Sequence, residues 1–196
     1  MKLAPFLVDP ADSPAKRAIV GAALRLFTER GLSATSIRDI AEEAGFTNPA
    51  LYRHFESKDA LAAHLFEACY RWIATRTSAA LRAVPAGDDK LRAYVGVAVD
   101  LSSESPEAVL FVNDHLRELW PGSRTKLIGL SLVTQTRALV REVRGGRPHP
   151  ISDDLATATL LGALGQWSRE LYFHALEGPP SRWREELVHV ATRIVL

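Results

Sequence analysis

Tyr52, Arg53 and His54 lie side by side between Leu51 and Phe55. Leu51 and Phe55 are spaced i and i+4, so on a helix they share one face and point inward. Thr47, Asn48, Ala50, Tyr52, Arg53 and His54 are then left largely toward solvent. An outward phenol, guanidinium and imidazole form a set of hydrogen-bond donors, suited to reading acceptors rather than to making bonds. Bond-making chemistry has no comparable signature here. The histidines at 54, 64, 115, 149, 174 and 189 are scattered, with no HExxH, GxSxG or Gly-rich phosphate loop and no paired carboxylates visible in an apolar pocket. The reading is therefore not an enzyme, and it calls for no cofactor and no metal.

The elements that must position those donors can be read outward from them. Ser36 followed by Asp39 has capping-box spacing, and Ile37, Ile40, Ala41 and Ala44 form the apolar stripe of a short helix over about 37–44. Gly45 supplies a residue able to take positive φ, with Phe46 beyond it available to pack back on the turn. Thr47 or Asn48 caps the next helix, and Pro49 near its start biases the choice toward Asn48. Two helices joined by a short Gly-containing turn form a helix-turn-helix, whose second helix enters the DNA major groove. Ser57 caps a third helix beginning Lys58-Asp59-Ala60-Leu61, which places a lysine beside free backbone N–H groups where a phosphate can sit.

These residues resemble the DNA-binding domain of the TetR family of bacterial transcriptional regulators. The strings that carry the resemblance are Thr35-Ser36-Ile37-Arg38-Asp39-Ile40-Ala41, Ala44-Gly45-Phe46, Asn48-Pro49-Ala50-Leu51-Tyr52-Arg53-His54-Phe55 and Ser57-Lys58. It covers residues 13–61 closely, and the all-helical remainder loosely. The fold expected is all-α: an N-terminal three-helix helix-turn-helix domain joined by a long helix to a C-terminal helical ligand-binding and dimerisation domain. The expected division is a flexible arm over 1–12, the DNA-binding domain over 13–60 and the ligand-binding and dimerisation domain over 61–196.

Composition limits the electrostatic case. With 47% apolar and 24% charged residues the chain can bury a core, and a formal charge of +1 announces no nucleic acid by itself. Residues 1–59 hold eight Lys/Arg and eight Asp/Glu, summing to zero, so a DNA-binding surface must come from placement. A structural DNA protein without sequence preference would be far more basic. Cys69 is the only cysteine, which excludes an intramolecular disulfide; it reads as a small buried hydrophobe, with a redox thiol as the alternative. The N-terminus reads as neither signal peptide nor membrane span, so the protein is expected in the cytoplasm. With Lys2 its only side-chain cation, residues 1–12 read as a disordered arm rather than a minor-groove reader.

Further along, Ser13-Pro14 opens a helix ending at Gly31, with Lys16, Arg17 and Arg25 off its apolar stripe; Lys16 and Arg17 could reach phosphates. The helix opened by Ser57 meets no breaker before Pro85, giving about 26 residues, near 40 Å at 1.5 Å per residue. Later helices are expected from Asp88 or Asp89 past Leu101, from Pro106 to Leu119 before Pro121-Gly122, and from Arg124 to Val143. That last one carries Arg137, Arg141 and Arg144 on one face. A helix from Asp153 ends at Gly178-Pro179-Pro180, and another, capped by Ser181, carries Trp183, Leu187, Val190, Ala191 and Ile194.

The resemblance implies that 153–177 and 182–195 are dimer helices, approaching through the small residues Ala156, Ala158, Thr159, Gly162, Ala163 and Gly165, although they could instead close the monomer's core. It implies a dimer reading a palindrome in double-stranded DNA, with Asn48, Ala50 and Tyr52 near base edges and Thr35, Ser36, Thr47, His54 and Lys58 holding phosphates. It also implies release by a small-molecule effector. Trp72, Phe111, His115, Trp120, Gln135 and Trp167 are the candidate pocket residues, each of which could equally be plain core. Gln166-Trp167-Ser168-Arg169 with Tyr172-Phe173 is similar to the ending of members that sense acyl-CoA thioesters, whose phosphates the arginine face could meet. The sign expected is repression; a ligand-independent or activating regulator is the alternative.

Overall fold

The structure is a computed structural model, and it describes residues 4–85 and 87–196; Lys2 lies outside the described residues. All regular elements among these are helical. The chain divides into two compact units, one formed by Met1–Trp72 with Leu110–Leu127 and the other by Ile73–Val109 with Ile128–Leu196.

In the first unit, α1 (Pro14–Arg30) starts where Ser13 Oγ accepts the Lys16 N–H and stops at Gly31, φ +83°, whose N–H caps the Phe27 carbonyl. It is followed by α2 (Ile37–Glu43) and α3 (Asn48–Tyr52). Then comes α4 (Lys58–Ala83), the expected 26 residues long, which contributes to both units. Ile19, Phe27, Ile40, Leu51, Leu65 and Phe66 are all buried in this unit. Leu110–Leu127 joins them because Phe111 stacks on Phe27 with centroids 6.0 Å apart, and Trp120 packs on Tyr70 at 4.8 Å. This stretch, which lies within the expected 61–196 domain, thus packs with the first unit.

In the second unit α5 (Asp88–Glu104), α7 (Leu132–Arg144), α8 (Asp153–Tyr172) and α9 (Arg184–Val195) share one core, built on Leu91, Val95, Leu139, Leu160, Trp167 and Leu187. Tyr94 and Thr136 exchange a buried hydroxyl hydrogen bond of 2.7 Å within it. A Cβ at Gly96 of α5 would lie 2.7 Å from Nη1 at the tip of the Arg184 side chain, and Arg184 in turn reaches Asp100 at 2.5 Å.

Four boundaries differ from the sequence reading. The helix from Pro106, α6 (Pro106–Ser123), continues through Pro121; that ring removes one N–H, and the chain leaves the helix two residues later. The helix carrying the arginines starts at Leu132 rather than Arg124, because Gly129 (φ +79°) turns the chain and Ser131 Oγ caps the Thr134 N–H. Helix α8 stops at Tyr172 rather than near Glu177. There Ala175 N–H bonds to Glu170 O at 2.8 Å and His174 N–H to Leu171 O at 3.2 Å, a Schellman ending with His174, φ +61°, in the left-handed position. The last helix begins as a 3₁₀ turn, Pro180–Trp183, before α9. The described part of the expected arm, residues 4–12, is likewise not free: it holds a 3₁₀ turn at Pro5–Leu7 and buries Leu7.

Candidate nucleic-acid interface

Helix α2 is set by the capping box expected of it. Ser36 Oγ accepts the Asp39 N–H at 3.1 Å, while Ser36 N–H donates to Asp39 Oδ2 at 2.8 Å. Hydrogen bonds from Ser36, side chain first and backbone second, hold the Asp39 carboxyl below the usual carboxylate range, with Arg30 and Arg38 adding to the effect. The helix closes in a Schellman motif: Phe46 N–H bonds to Ala41 O at 2.8 Å and Gly45 N–H to Glu42 O at 3.0 Å, with Gly45 at φ +75°. Gly45 is required here because a side chain at that φ is strained. Phe46 remains 38% exposed.

The turn delivers α3 with Leu51 and Phe55 buried, as their spacing implies. Thr47, with extended φ, is its N-cap residue, although no side-chain cap bond forms. Thr47, Asn48, Tyr52 and Arg53 are exposed, and Ala50 and His54 are half-buried. Tyr52 is 53% exposed, so its hydroxyl is presented outward.

Several of the expected phosphate contacts are engaged within the protein. Lys58 Nζ donates to the carbonyls of Leu32 at 2.8 Å and Thr35 at 3.0 Å, tying the start of α4 to the loop after α1. Thr35 is buried, and its hydroxyl bonds the Gly31 carbonyl at 2.9 Å. The Ser36 hydroxyl donates to Asp39 at 2.7 Å. Lys16 pairs with Asp12 at 2.8 Å, and Arg17 is bound to main-chain carbonyls. By contrast the exposed guanidiniums of Arg30, Arg38 and Arg53 make no hydrogen bond or ion pair among the described residues. Their availability could not be read from charge counts, although Arg38 lies off the apolar stripe of α2.

The six candidate pocket residues are divided between the two units. Trp72, Phe111, His115 and Trp120 belong to the first unit. There Trp72 stacks on Phe6, Phe111 on Phe27 and Trp120 on Tyr70, and His115 lies against Phe111 at 5.0 Å. Gln135 and Trp167 are in the second unit, where Gln135 Oε1 and Trp167 Nε1 are buried without a hydrogen-bond partner. A groove of about 710 Å³ in that unit, floored by Ala79, Ala80 and Ala93 and flanked by Arg76 and Arg92, is lined by neither of them. The arginine face is also spent. Arg137 pairs with Asp154 at 2.7 Å and Arg141 with Asp153 at 3.2 Å. Arg144 is buried, donating to Val195 O, Ile151 O and Asp153 Oδ1 at 2.9, 2.7 and 2.8 Å. Burial pushes the Cys69 thiol up, which disfavours the thiolate.

A short helix offered to solvent on a Schellman turn, backed by two helices and followed by a long one, defines a helix-turn-helix protein of the all-α class. Residues 19–65 match the model of "Bacterial regulatory proteins, tetR family". This is a family of regulators rather than of enzymes. The chain is 27% identical over 113 residues to the HTH-type transcriptional repressor KstR2 of Mycolicibacterium smegmatis, covering 57% of this chain. That aligned stretch spans about half, 55%, of the relative's own length. Among solved structures it is similar to the ketosteroid transcriptional regulator KstR2 of Mycobacterium tuberculosis, with TM-score 0.77, 19% identity and coverage of 94% and 96% of the two chains. It is also similar to the regulator FadR of Bacillus subtilis in complex with stearoyl-CoA, with TM-score 0.69, 15% identity and coverage of 92% and 97%. No helix among the described residues is long and apolar enough to cross a membrane.

Proposed function

We propose that this chain is a sequence-specific transcriptional repressor of the cytoplasm that binds a palindromic operator as a homodimer and is released by a small-molecule effector. The observation that carries the reading is the outward presentation of α3, with Thr47, Asn48 and Tyr52 exposed while Leu51 and Phe55 are buried beneath them. Asn48, Ala50 and Tyr52 would meet base edges. Thr47, His54, Arg38 and Arg53 would hold phosphates, with Ser36 beside them, while Lys58 and Thr35 brace the module from within.

Dimerisation is supported by the outer face of α8. Leu155, Ala158, Thr159 and Gly162 are all exposed there, and a Cβ at Gly162 would meet nothing within 4 Å. Packing within one chain therefore gives no reason for a glycine in mid-helix, whereas close approach of a second chain does. For the effector, the unpartnered Gln135 and Trp167 atoms supply one acceptor and one donor in the core of the second unit. A hydrophobic acyl-CoA is a reasonable first ligand to try, given the fold shared with FadR. An effector that prefers a conformation with wrongly spaced recognition helices would shift the population off DNA.

Fluorescence anisotropy across a salt series, comparing the DNA flanking this gene with a random duplex of equal length, tests the reading. Tight binding to the flank alone, saturating at two or four chains per site, is expected. Failure to enrich any palindrome from a random-sequence library would sink it.

A further inference from the structure

The segment before α1 is fastened at several points within the first unit. Phe6 lies flat on Trp72 of α4, with centroids 4.2 Å apart and ring planes 10° apart, and Leu7 beside it is buried. Arg17 of α1 donates Nε to Asp12 O at 3.0 Å and Nη2 to Pro10 O and Asp9 O at 2.6 and 3.2 Å. Lys16 Nζ holds Asp12 at 2.8 Å, and the segment closes on itself through Asp9 and Asp12. On α4, His64 Nε2 lies 3.4 Å from the Leu7 carbonyl, and the same ring packs on Phe55 at 5.4 Å. Phe55 is the buried residue that follows the recognition helix.

These contacts have a direction. His64 and Trp72 are about 12 Å apart along α4 at 1.5 Å per residue, and the segment touches both while gripping the first turns of α1. Cations that could have reached phosphates, Lys16 and Arg17, are used to hold it. We propose that residues 5–12 are a positioning strap: they fix residues 64–72 of α4 against α1 behind the recognition helix, and so raise operator affinity without touching DNA. Phe6 and Arg17 act through α4 and are positioning residues. This rests on the DNA-binding reading above, but its structural half stands on the free protein.

Hydrogen exchange on the free, full-length protein tests that half. The Leu7 and Asp12 amides donate to Ala4 O and Asp9 O at 3.1 and 2.9 Å. The peptide holding them should exchange about tenfold or more slower than an unstructured chain, equally with and without DNA. Exchange at the unstructured rate until DNA is added would overturn the strap in favour of an arm. Operator titrations test the other half. Phe6→Ala should weaken binding by about threefold to tenfold, the worth of an aromatic pair, and Phe6→Tyr should restore it. Arg17→Met should also weaken binding while the slope of log K against log salt is unchanged. Affinity for Phe6→Ala within twofold of the parent, or a slope reduced by about one in Arg17→Met, which marks a lost phosphate contact, overturns the proposal. A parent protein that binds no duplex would instead remove the DNA-binding reading, with exchange still deciding whether the strap exists.

Discussion

At the scale of single residues, the telling side chain is Lys58, whose ammonium closes two carbonyls on the loop after α1. Lys58→Met should therefore cost about 1–2 kcal/mol of stability, seen as a lower urea midpoint, with the salt slope of DNA binding unchanged. A slope reduced by about one would make Lys58 a phosphate contact after all. Asp39 is readable by pH. Its carboxyl is held low by the Ser36 hydrogen bonds, so its contribution is fully present above the unfolded value of about 3.9 and is lost as pH falls through the lower folded value. Carbon-detected NMR should place the Asp39 midpoint below that of free aspartate, and Ser36→Ala should move it back up. Cys69 is buried with its thiol pushed up, so a thiol-reactive dye should label it only after unfolding. Labelling of the native protein would revive the redox alternative. The Ser36–Asp39 box was legible because both partners sit within one turn. Lys58 was not, because its acceptors lie 26 and 23 residues away and only the fold brings them near.

At the scale of elements, starts were easier to read than ends. Ser13, Ser36 and Ser152 each cap as their spacing implies. The end of α8 was hidden because a histidine occupies the left-handed position that glycine normally marks. That position gives a direct test: His174→Gly should stabilise the protein by about 0.5–1 kcal/mol at unchanged m-value, the relief of left-handed strain exceeding the added freedom of the unfolded chain. A loss of stability would mean that the imidazole makes a contribution outweighing that strain. The start at Leu132 did have a signal, Gly129 followed by Ser131, but it stood inside an apolar pattern that ran on past it.

At the scale of the whole molecule, the all-helical class and the DNA-binding module were legible from ordered motifs. The assignment of Leu110–Leu127 to the first unit was not, since no periodicity announces that Phe111 stacks on Phe27. The proposed dimer is tested where α8 is bare: Gly162→Phe, aimed into open space in the single chain, should leave the fold intact yet yield monomers in sedimentation. Operator affinity should then fall by about a hundredfold or more as two linked half-site contacts become one. A dimer that survives the substitution would place the interface elsewhere. The pairing of Gly96 with Arg184 bears on how such a sequence can diverge. A methyl at 96 would meet the tip of the Arg184 side chain, so the guanidinium must shift beside Asp100 and part of the gain from a helix-favouring alanine is offset while arginine remains at 184. Once 184 has shortened, the same alanine meets no obstacle there. Relatives descending from this chain should therefore carry alanine at 96 more readily where 184 is shorter than arginine, a bias set by a single close approach.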